Sequence, residues 1–366
     1  MRLRAMNKTT RKNTFTYSLV IFFYLALQLL GSNLLRQGGV ISYSLRGQLV
    51  PICAYVVMAL SLNLTVGILG ELSLGHAGFM SVGAFTGIVV ATSLQGLIPF
   101  GPARLAIAMV LGAFMAGIAG LLVGIPVLRL NGDYLAIVTL AFGEIIKSII
   151  NNLYVGLDSN GLRMNLLGGA ADLELEGGLR PILDGPMGAS GIPQLSSFTA
   201  GFILILITLF IILNLVNSRS GRAIMALRDN RIAAESIGIN VTKYKLMAFS
   251  TSAALAGTAG TLFALGMPVL TPNKFDFNTS ILVLVFVVLG GLGNMWGSII
   301  AAALLTVLPE LLRQFAEQRM LIYAIVLILV MIATNNPTIK NFFRAMRERL
   351  LPRFGKSSAK EGEHHA

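Results

Sequence analysis

The sequence predicts an all-α polytopic membrane protein, and three observations support this class. Of its 366 residues, 55% are hydrophobic and only 12% are charged, whereas soluble domains carry about 25% charged residues. Several uncharged apolar runs reach or approach the ~20 residues that a helix needs to span the hydrocarbon core of a bilayer. Most basic residues lie between or outside these runs, as expected for membrane helices with charged flanks. We therefore predict one membrane domain and no separate soluble domain.

The apolar runs predict about ten transmembrane helices. In chain order, the predicted spans are residues 17–35, 49–67, 74–94, 103–124, 134–153, 199–217, 246–266, 279–295, 297–313 and 319–335. The first span follows a basic segment, 1–16, of the kind that begins a signal peptide, but no convincing small-residue cleavage site follows Leu30. We therefore expect a retained first helix and a transmembrane domain over residues 17–335.

The basic residues predict the orientation of these helices. Residues 1–16, 218–245 and 336–366 together hold 18 of the 28 Lys and Arg residues, and an even number of spans places all three segments on one side. Because Lys and Arg collect in cytoplasmic loops, we expect both termini and the 218–245 loop in the cytoplasm. Loop 154–198 holds two Arg against five acidic residues and belongs on the opposite side, where its Gly and Pro content predicts a folded loop. This distribution explains the net charge of +12 without a nucleic-acid partner.

Two helical faces made of small residues indicate how the spans pack. Small side chains recur every four residues at Gly112, Ala116, Gly120 and Gly124, and again at Ala256, Gly260 and Ala264. Such faces allow the backbones of membrane helices to approach closely. We expect both faces to be helix-packing surfaces.

The sequence contains no recognisable catalytic or metal-binding motif. Its three His residues are His76, His364 and His365, and the isolated His76 cannot form a zinc site without further ligands. The Gly-rich segment "LGGLGNMWG" at 289–297 lacks the Lys and the Ser or Thr of a phosphate-binding loop. We expect no catalytic residue, no metal and no cofactor bound by this chain. The energy for transport would then come from an ion gradient or from a partner protein.

The first unusual segment of the membrane domain reads "NLTVGILGELSLGHAGFMSVGAF", residues 63–85. Its glycines suit a broken helix or a re-entrant turn, which membranes tolerate only where it lines protein or water. The candidate path-lining residues are Asn63, Glu71, Ser73, Gly75 and His76. Two interpretations remain open: a part of a translocation path or its gate, or a tight boundary turn in which Glu71 and His76 are solvated.

Glu144 is the second unusual feature, because it falls inside a predicted span. A carboxylate at the centre of a span costs roughly 2.5–3.5 kcal/mol on insertion scales. Glu144 either lines a cavity or forms a local pair with Lys147, one turn away. Ion-coupled carriers usually need several such groups within the membrane, and the other span centres are nearly free of them. This scarcity disfavours an ion-coupled secondary transporter, which stays the alternative from a different class.

The third unusual segment, 218–245, reads "SRSGRAIMALRDNRIAAESIGINVTKYK" between two apolar spans. Helix-forming residues predict a helix from Gly221 to Ser236, and Gly238 predicts its end. An interfacial helix bound to anionic lipid is one interpretation. Because the apolar residues of the segment are mostly Ala, docking into a groove of a partner protein is favoured. The candidate docking residues are Arg222, Ala223, Arg228, Asp229, Ala233, Ala234, Glu235 and Gly238.

Taken with these segments, the chain resembles the branched-chain amino acid/urea permease family of ABC transporters. "AAESIG" (233–238) is similar to the EAA signature of importer permeases, with Ile232 where that signature has Glu. Four further segments are similar to the family in the expected order: "LSLNLTVGILGELSLGHAGFMSVGAF", "DYLAIVTLAFGEII", "GPMGASGIP" and "LVFVVLGGLGNMWGSIIAAALL". The chain looks most like the second permease type, which carries a long extracytoplasmic loop before the coupling segment. It departs from that type in the longer, more acidic loop after Ser159 and in a tail without the "PRG" phrase.

The resemblance implies a set of partners and a location. It implies a second permease subunit in a heterodimer, two ABC ATPase subunits that hold ATP and Mg, and an extracytoplasmic solute-binding protein. The segment 218–245 would be the cytoplasmic coupling helix, and the chain would lie in the lipid of the bacterial inner membrane. It would form the path for branched-chain amino acids, with urea or a short amide as the alternative solute.

Overall fold

The structure is a computed structural model that describes residues 43–128, 133–158, 161–166 and 181–312, and a few residues between 318 and 328. The predicted segment 1–16, the span 17–35, the tail 336–366 and most of the span 319–335 lie outside the described residues. The chain divides into two compact units, Met1–Glu310 and Leu311–Ala366. In the second unit, residues 321–322, 324–325 and 328 are helical.

The described part of the chain is built mainly from helices. They are α1 (Tyr43–Asn63), continued by a π-helical turn (Leu64–Leu69), α2 (His76–Ser93), α3 (Gly101–Val127), α4 (Asp133–Asn151), α5 (Phe198–Asn217), α6 (Arg219–Asp229), α7 (Arg231–Ser236), α8 (Val241–Ala264), α9 (Phe277–Gly290) and α10 (Met295–Leu311). Within the described residues, six helices are long and apolar enough to cross a membrane: α1 with its π-helical turn, α2, α3, α4, α5 and α8. The predicted class, an all-α multi-pass membrane protein, agrees with this architecture.

Side-chain caps explain where several helices begin. Ser197, Ser218, Asn230, Asn240 and Asp276 each accept a hydrogen bond from a backbone N–H in the first turn of the following helix. Such caps satisfy donors that have no partner within the helix. Helix α9 is shorter than the predicted span 279–295, because it ends at Gly290 and Gly291 adopts a positive φ of 91°.

Helices α2, α3 and α8 form the centre of the described domain through close backbone contacts. A Cβ atom added to Gly260 would collide with the carbonyl oxygen of Met80, and one added to Gly120 would lie 2.5 Å from the Cβ atom of Ala253. Ala116 lies against Gly257 in the same way. The small residues of α3 thus face α8, and α2 packs against both helices, with Gly83 beside Gly257 of α8 and Gly112 of α3.

The remaining small residues lie in the same packing layer. Gly112 faces Thr261, Gly124 faces Leu246 and Phe249, and Ala256 and Ala264 are fully buried. The sequence analysis did not single out Gly83, which lies against the backbone of Gly257. Its signal was present nevertheless, because Gly83, Gly87 and Ala91 recur every four residues along α2.

The loop 154–198 folds into short strands. Strands β1 (Tyr154–Asp158), β2 (Gly161–Asn165) and β3 (Leu183–Asp184) form an antiparallel sheet in the order β2-β1-β3. Strand β4 (Ala189–Ser190) pairs with β5 (Val269–Leu270), which follows α8. The sequence predicts a folded loop here but not these strands, of which β3, β4 and β5 have only two residues and are too short to show a period-2 pattern.

Candidate functional site

The first candidate site is an interruption between α1 and α2. Helix α1 continues as a π-helical turn that ends at Gly70, which has a φ of 81°, and regular helix resumes only at His76. This positive φ is a conformation that glycine adopts readily. A broken helix therefore lies where the glycines of residues 63–85 indicated one.

Neighbouring helices satisfy the backbone of the interruption. Thr139 of α4 accepts a hydrogen bond from the backbone N–H of Leu74 at 3.1 Å. Ser280 of α9 accepts one from the backbone N–H of Ala77 at 3.2 Å. Irregular backbone at membrane depth requires such partners. Helices α4 and α9 therefore hold the start of α2 in place.

Asn63 ties the same region to α10. Its side-chain Nδ2 donates to Ser298 Oγ at 2.9 Å, and its Oδ1 accepts from the backbone N–H of Gly293 at 2.8 Å. The residue is fully buried. In this structure Asn63 fastens two helices together and does not face an open path.

His76 lies in the protein interior, with 1% of its surface exposed. Ser61 Oγ donates to the carbonyl oxygen of Met58 and lies 2.8 Å from His76 Nε2. Ser61 Oγ and His76 Nε2 thus share a hydrogen bond whose direction is set by the tautomer of the ring. Among the described residues, neither His76 Nδ1 nor the buried Ser73 Oγ has a hydrogen-bond partner. The interpretation of His76 as a solvated boundary residue is wrong, because the start of α2 is packed against α1.

Glu71 is also not simply solvated. It forms an ion pair with Lys245 of α8, and the two side chains are 14% and 6% exposed. The solvated interpretation of Glu71 is wrong for the same reason as for His76: tertiary packing covers the turn. Sequence reasoning counted Lys245 only among the charges that set orientation, and no local pattern pairs residues 174 positions apart.

Arg228 connects the charged segment to the interruption. Its Nη1 donates to the carbonyl oxygen of Gly67, in the π-helical turn, at 3.0 Å. Its Nε and Nη2 donate to Asp229 Oδ1 at 3.2 and 3.1 Å. The aliphatic part of Arg228 lies against Gly70. The interruption therefore contacts α6 through Arg228 and α8 through Lys245.

The charged segment 218–245 contains two short helices, α6 and α7, before α8 begins at Val241. The predicted continuous helix from Gly221 to Ser236 is wrong at Asn230, whose backbone is extended with a φ of −156° and whose Oδ1 accepts from the N–H of Ala233 at 3.0 Å. Asn favours such a capping position over a helix interior. Helix α7 ends before Gly238, which has a φ of 84°.

A small core fixes α7 against its neighbours. Leu227, Ala234 and Val241 are buried together, with Ala226, Ile239 and Tyr244 packed around them. On the outer side of α7, Ile232 and Ile237 are 81% and 75% exposed. Neither isoleucine was among the predicted docking residues. Of those that were, Arg222, Arg228, Asp229, Ala233, Glu235 and Gly238 are exposed, whereas Ala223 is half-buried and Ala234 belongs to the core.

Glu144 lies apart from these contacts. Lys147 Nζ donates to Glu144 Oε2 at 3.0 Å, and the side chains of Lys147 and Glu144 are 20% and 43% exposed. Gly75 and Gly143 bring α2 and α4 together nearby, since a Cβ added to Gly143 would lie 3.2 Å from the Cα of Gly75. Glu144 also borders a crevice with Asp276, a residue that the sequence analysis did not single out.

Comparisons with known proteins place the chain among permeases. A family model described as "Branched-chain amino acid transport system / permease component" matches residues 44–334. Two relatives are each 38% identical to this chain over 286 residues, which is 76% of this chain and 66% of each relative. They are the high-affinity branched-chain amino acid transport system permease proteins LivM of Salmonella typhimurium and Escherichia coli. The match thus spans just under two thirds of the length of these two relatives.

A more distant relative comes from an archaeon. The probable branched-chain amino acid transport permease protein LivM of Methanocaldococcus jannaschii is 25% identical over 282 residues, covering 66% of this chain and 74% of the relative. No solved structure matches the chain.

Proposed function

Because the chain belongs to the branched-chain amino acid transport permease family, we propose that it is the membrane subunit of an ABC importer for branched-chain amino acids. In this proposal it works in the cytoplasmic membrane of a bacterium, beside a second permease subunit. Two separate ATPase subunits bind ATP and Mg and drive transport, and a solute-binding protein delivers the amino acid from outside. The contact of the charged segment with the interrupted helix is the observation that carries the proposal.

The surface of α7 favours a protein partner over lipid. Ile232 and Ile237 are the large apolar side chains that α7 and the residue after it expose, and Arg231 and Glu235 lie among them. Two exposed side chains offer little apolar area for holding a helix on a bilayer. They suit a groove in a partner, where an amphipathic helix inserts a few apolar anchors. We propose that this groove belongs to the ATPase subunit.

The contacts behind α7 supply a route from that groove to the membrane domain. The core of Leu227, Ala234 and Val241 joins α7 to α6 and α8. Arg228 then binds the π-helical turn, and Lys245 binds Glu71 in the interruption. Packed elements transmit displacements because close-packed interiors compress little. Movement of α7 with an ATPase subunit would therefore shift the segment that positions the start of α2.

An association experiment tests the docking surface. We expect the substitution Ala233→Trp to abolish co-purification of the ATPase subunit and leucine uptake, while the chain still inserts. The control is Ile207→Trp, which places the same side chain on the exposed, apolar face of α5. Normal ATPase association and normal uptake in the Ala233→Trp variant would disprove the docking surface.

A further inference from the structure

The ion pair of Glu144 and Lys147 occupies an unusual place in α4. Glu144 is the twelfth of the 19 residues of the helix, near the middle of a span that exposes the large apolar side chains of Ile137, Ile145 and Ile149. Its side chain is 43% exposed. An exposed charge at the centre of a bilayer is costly, and such residues face the interior of a bundle or a water-filled cavity. This part of α4 therefore faces water or protein, not lipid.

A third charged group completes the cluster. Asp276 precedes α9 and borders the same crevice as Glu144, and the positive charge of Lys147 acts on it as well. Asp276 Oδ1 accepts from the N–H of Thr279 at 3.0 Å, and Oδ2 accepts from Asn278 Nδ2 at 2.9 Å. Each carboxylate oxygen can accept more than one hydrogen bond, so Asp276 retains capacity for a further donor.

The surroundings of the cluster are apolar. The crevice between the charges is also lined by Leu74, Leu140, Phe275 and Phe277. Its volume of about 10 Å³ matches a single water molecule. The crevice therefore holds at most a water molecule, and a larger solute could contact these charges only from the exposed side of Glu144.

We propose that Glu144, Lys147 and Asp276 form a transit site for a zwitterionic amino acid with an aliphatic side chain. This inference rests on the proposed function, in which the solute passes along this chain and the second permease supplies the opposite wall. The two carboxylates receive the ammonium group, Lys147 receives the carboxylate, and the apolar residues contact the side chain. The charged side chains lose hydrating water when a solute enters such a site, so the solute must offer opposite charges in place of that water. Urea or a short amide carries no charge and would offer no opposite charge to Asp276 or to the Glu144–Lys147 pair.

Uptake by the complete importer tests the transit site. The importer is reconstituted in liposomes with ATP and its binding protein, and the uptake of radiolabelled leucine is compared with that of radiolabelled urea. We expect leucine uptake only, and a loss of at least about tenfold in kcat/KM for Glu144→Gln and Asp276→Asn, as expected for the loss of one charge-assisted hydrogen bond. ATP hydrolysis stimulated by the binding protein should remain at the level of the parent importer.

Three variants separate a transit site from a structural role. Asp276→Asn retains a good helix cap, and the double variant Glu144→Gln, Lys147→Met removes the ion pair without leaving an unpaired charge. The control, Ser148→Ala, changes an exposed, uncharged neighbour on α4. Parent-like leucine uptake in Glu144→Gln, Asp276→Asn and the double variant would overturn the site but leave the proposed function standing. Loss of both leucine uptake and stimulated ATP hydrolysis in these variants would indicate a structural defect and would also overturn the site. Urea uptake by the parent importer would overturn it as well. A parent importer that carries no leucine and shows no stimulated hydrolysis overturns both.

Discussion

The two ion pairs in the membrane domain differ in burial and in reach. Glu71 and Lys245 are 14% and 6% exposed and join segments far apart in the chain, whereas Glu144 and Lys147 are 43% and 20% exposed and lie on one turn of α4. The first pair is surrounded by contacts that bind the interruption to α6 and α8. The second borders an open crevice. A buried ion pair that links distant elements suits a structural connection between them, while an exposed ion pair at membrane depth suits contact with a charged solute.

This comparison predicts the largest effect at Lys245. The substitution Lys245→Met leaves Glu71 buried without its partner, and breaking a buried pair in this way costs about 3–5 kcal/mol. We expect a loss of this size in the free energy of unfolding of the detergent-solubilised protein. The double variant Glu71→Gln, Lys245→Met should recover most of it, because no unpaired charge remains.

Lys243→Met is the matched control for Lys245. Lys243 lies on the same turn of α8 but is exposed, so its substitution should change the free energy of unfolding by less than about 0.5 kcal/mol. Equal effects of the two substitutions would show that Glu71 does not depend on Lys245.

A smaller effect is expected at Arg228, which connects α6 to the interruption by one hydrogen bond. Hydrogen bonds to charged groups contribute about 1.5–3 kcal/mol, and the 42% exposure of this side chain reduces the contribution to about 1 kcal/mol. Arg228→Ala should therefore leave insertion intact. It should accelerate amide hydrogen exchange in the π-helical turn 64–69, because a contact that restrains local opening is lost.

Arg219→Ala provides the comparison, since Arg219 is exposed on the same helix. It should not change exchange in residues 64–69. Unchanged exchange in Arg228→Ala as well would mean that α6 does not restrain the interruption, and the proposed route from the ATPase groove would lose its first contact.

The two pairs also show what the sequence could predict. The possible partnership of Glu144 with Lys147 follows from their spacing of three residues, which places both on one helical face. Glu71 and Lys245 carry no such local signal. The glycines of residues 63–85 indicated a break in the helix because the conformational freedom of glycine is a local property. The burial of His76 could not be predicted in this way, because it depends on packing against α1.

The same distinction explains the charged segment and the crevice. Composition predicts that residues 218–245 are polar and helical, yet the division at Asn230 depends on whether one side chain caps a new helix. Asp276 joins Glu144 only because the chain after α8 returns, through β5, to the side of α4. Local patterns therefore predict the elements, while the residues that meet between elements emerge only from the fold.

The smallest effect on stability is expected for the exposed pair. Removing both charges in the double variant Glu144→Gln, Lys147→Met should change the free energy of unfolding by less than about 1 kcal/mol, because exposed ion pairs in water contribute little. The measurement is thermal unfolding of the purified protein in lipid nanodiscs. A marked gain in stability would instead place the pair against lipid, where charges are costly, and would contradict the transit site. A small change in stability together with a large loss of leucine uptake is the combination that separates this pair from Glu71 and Lys245.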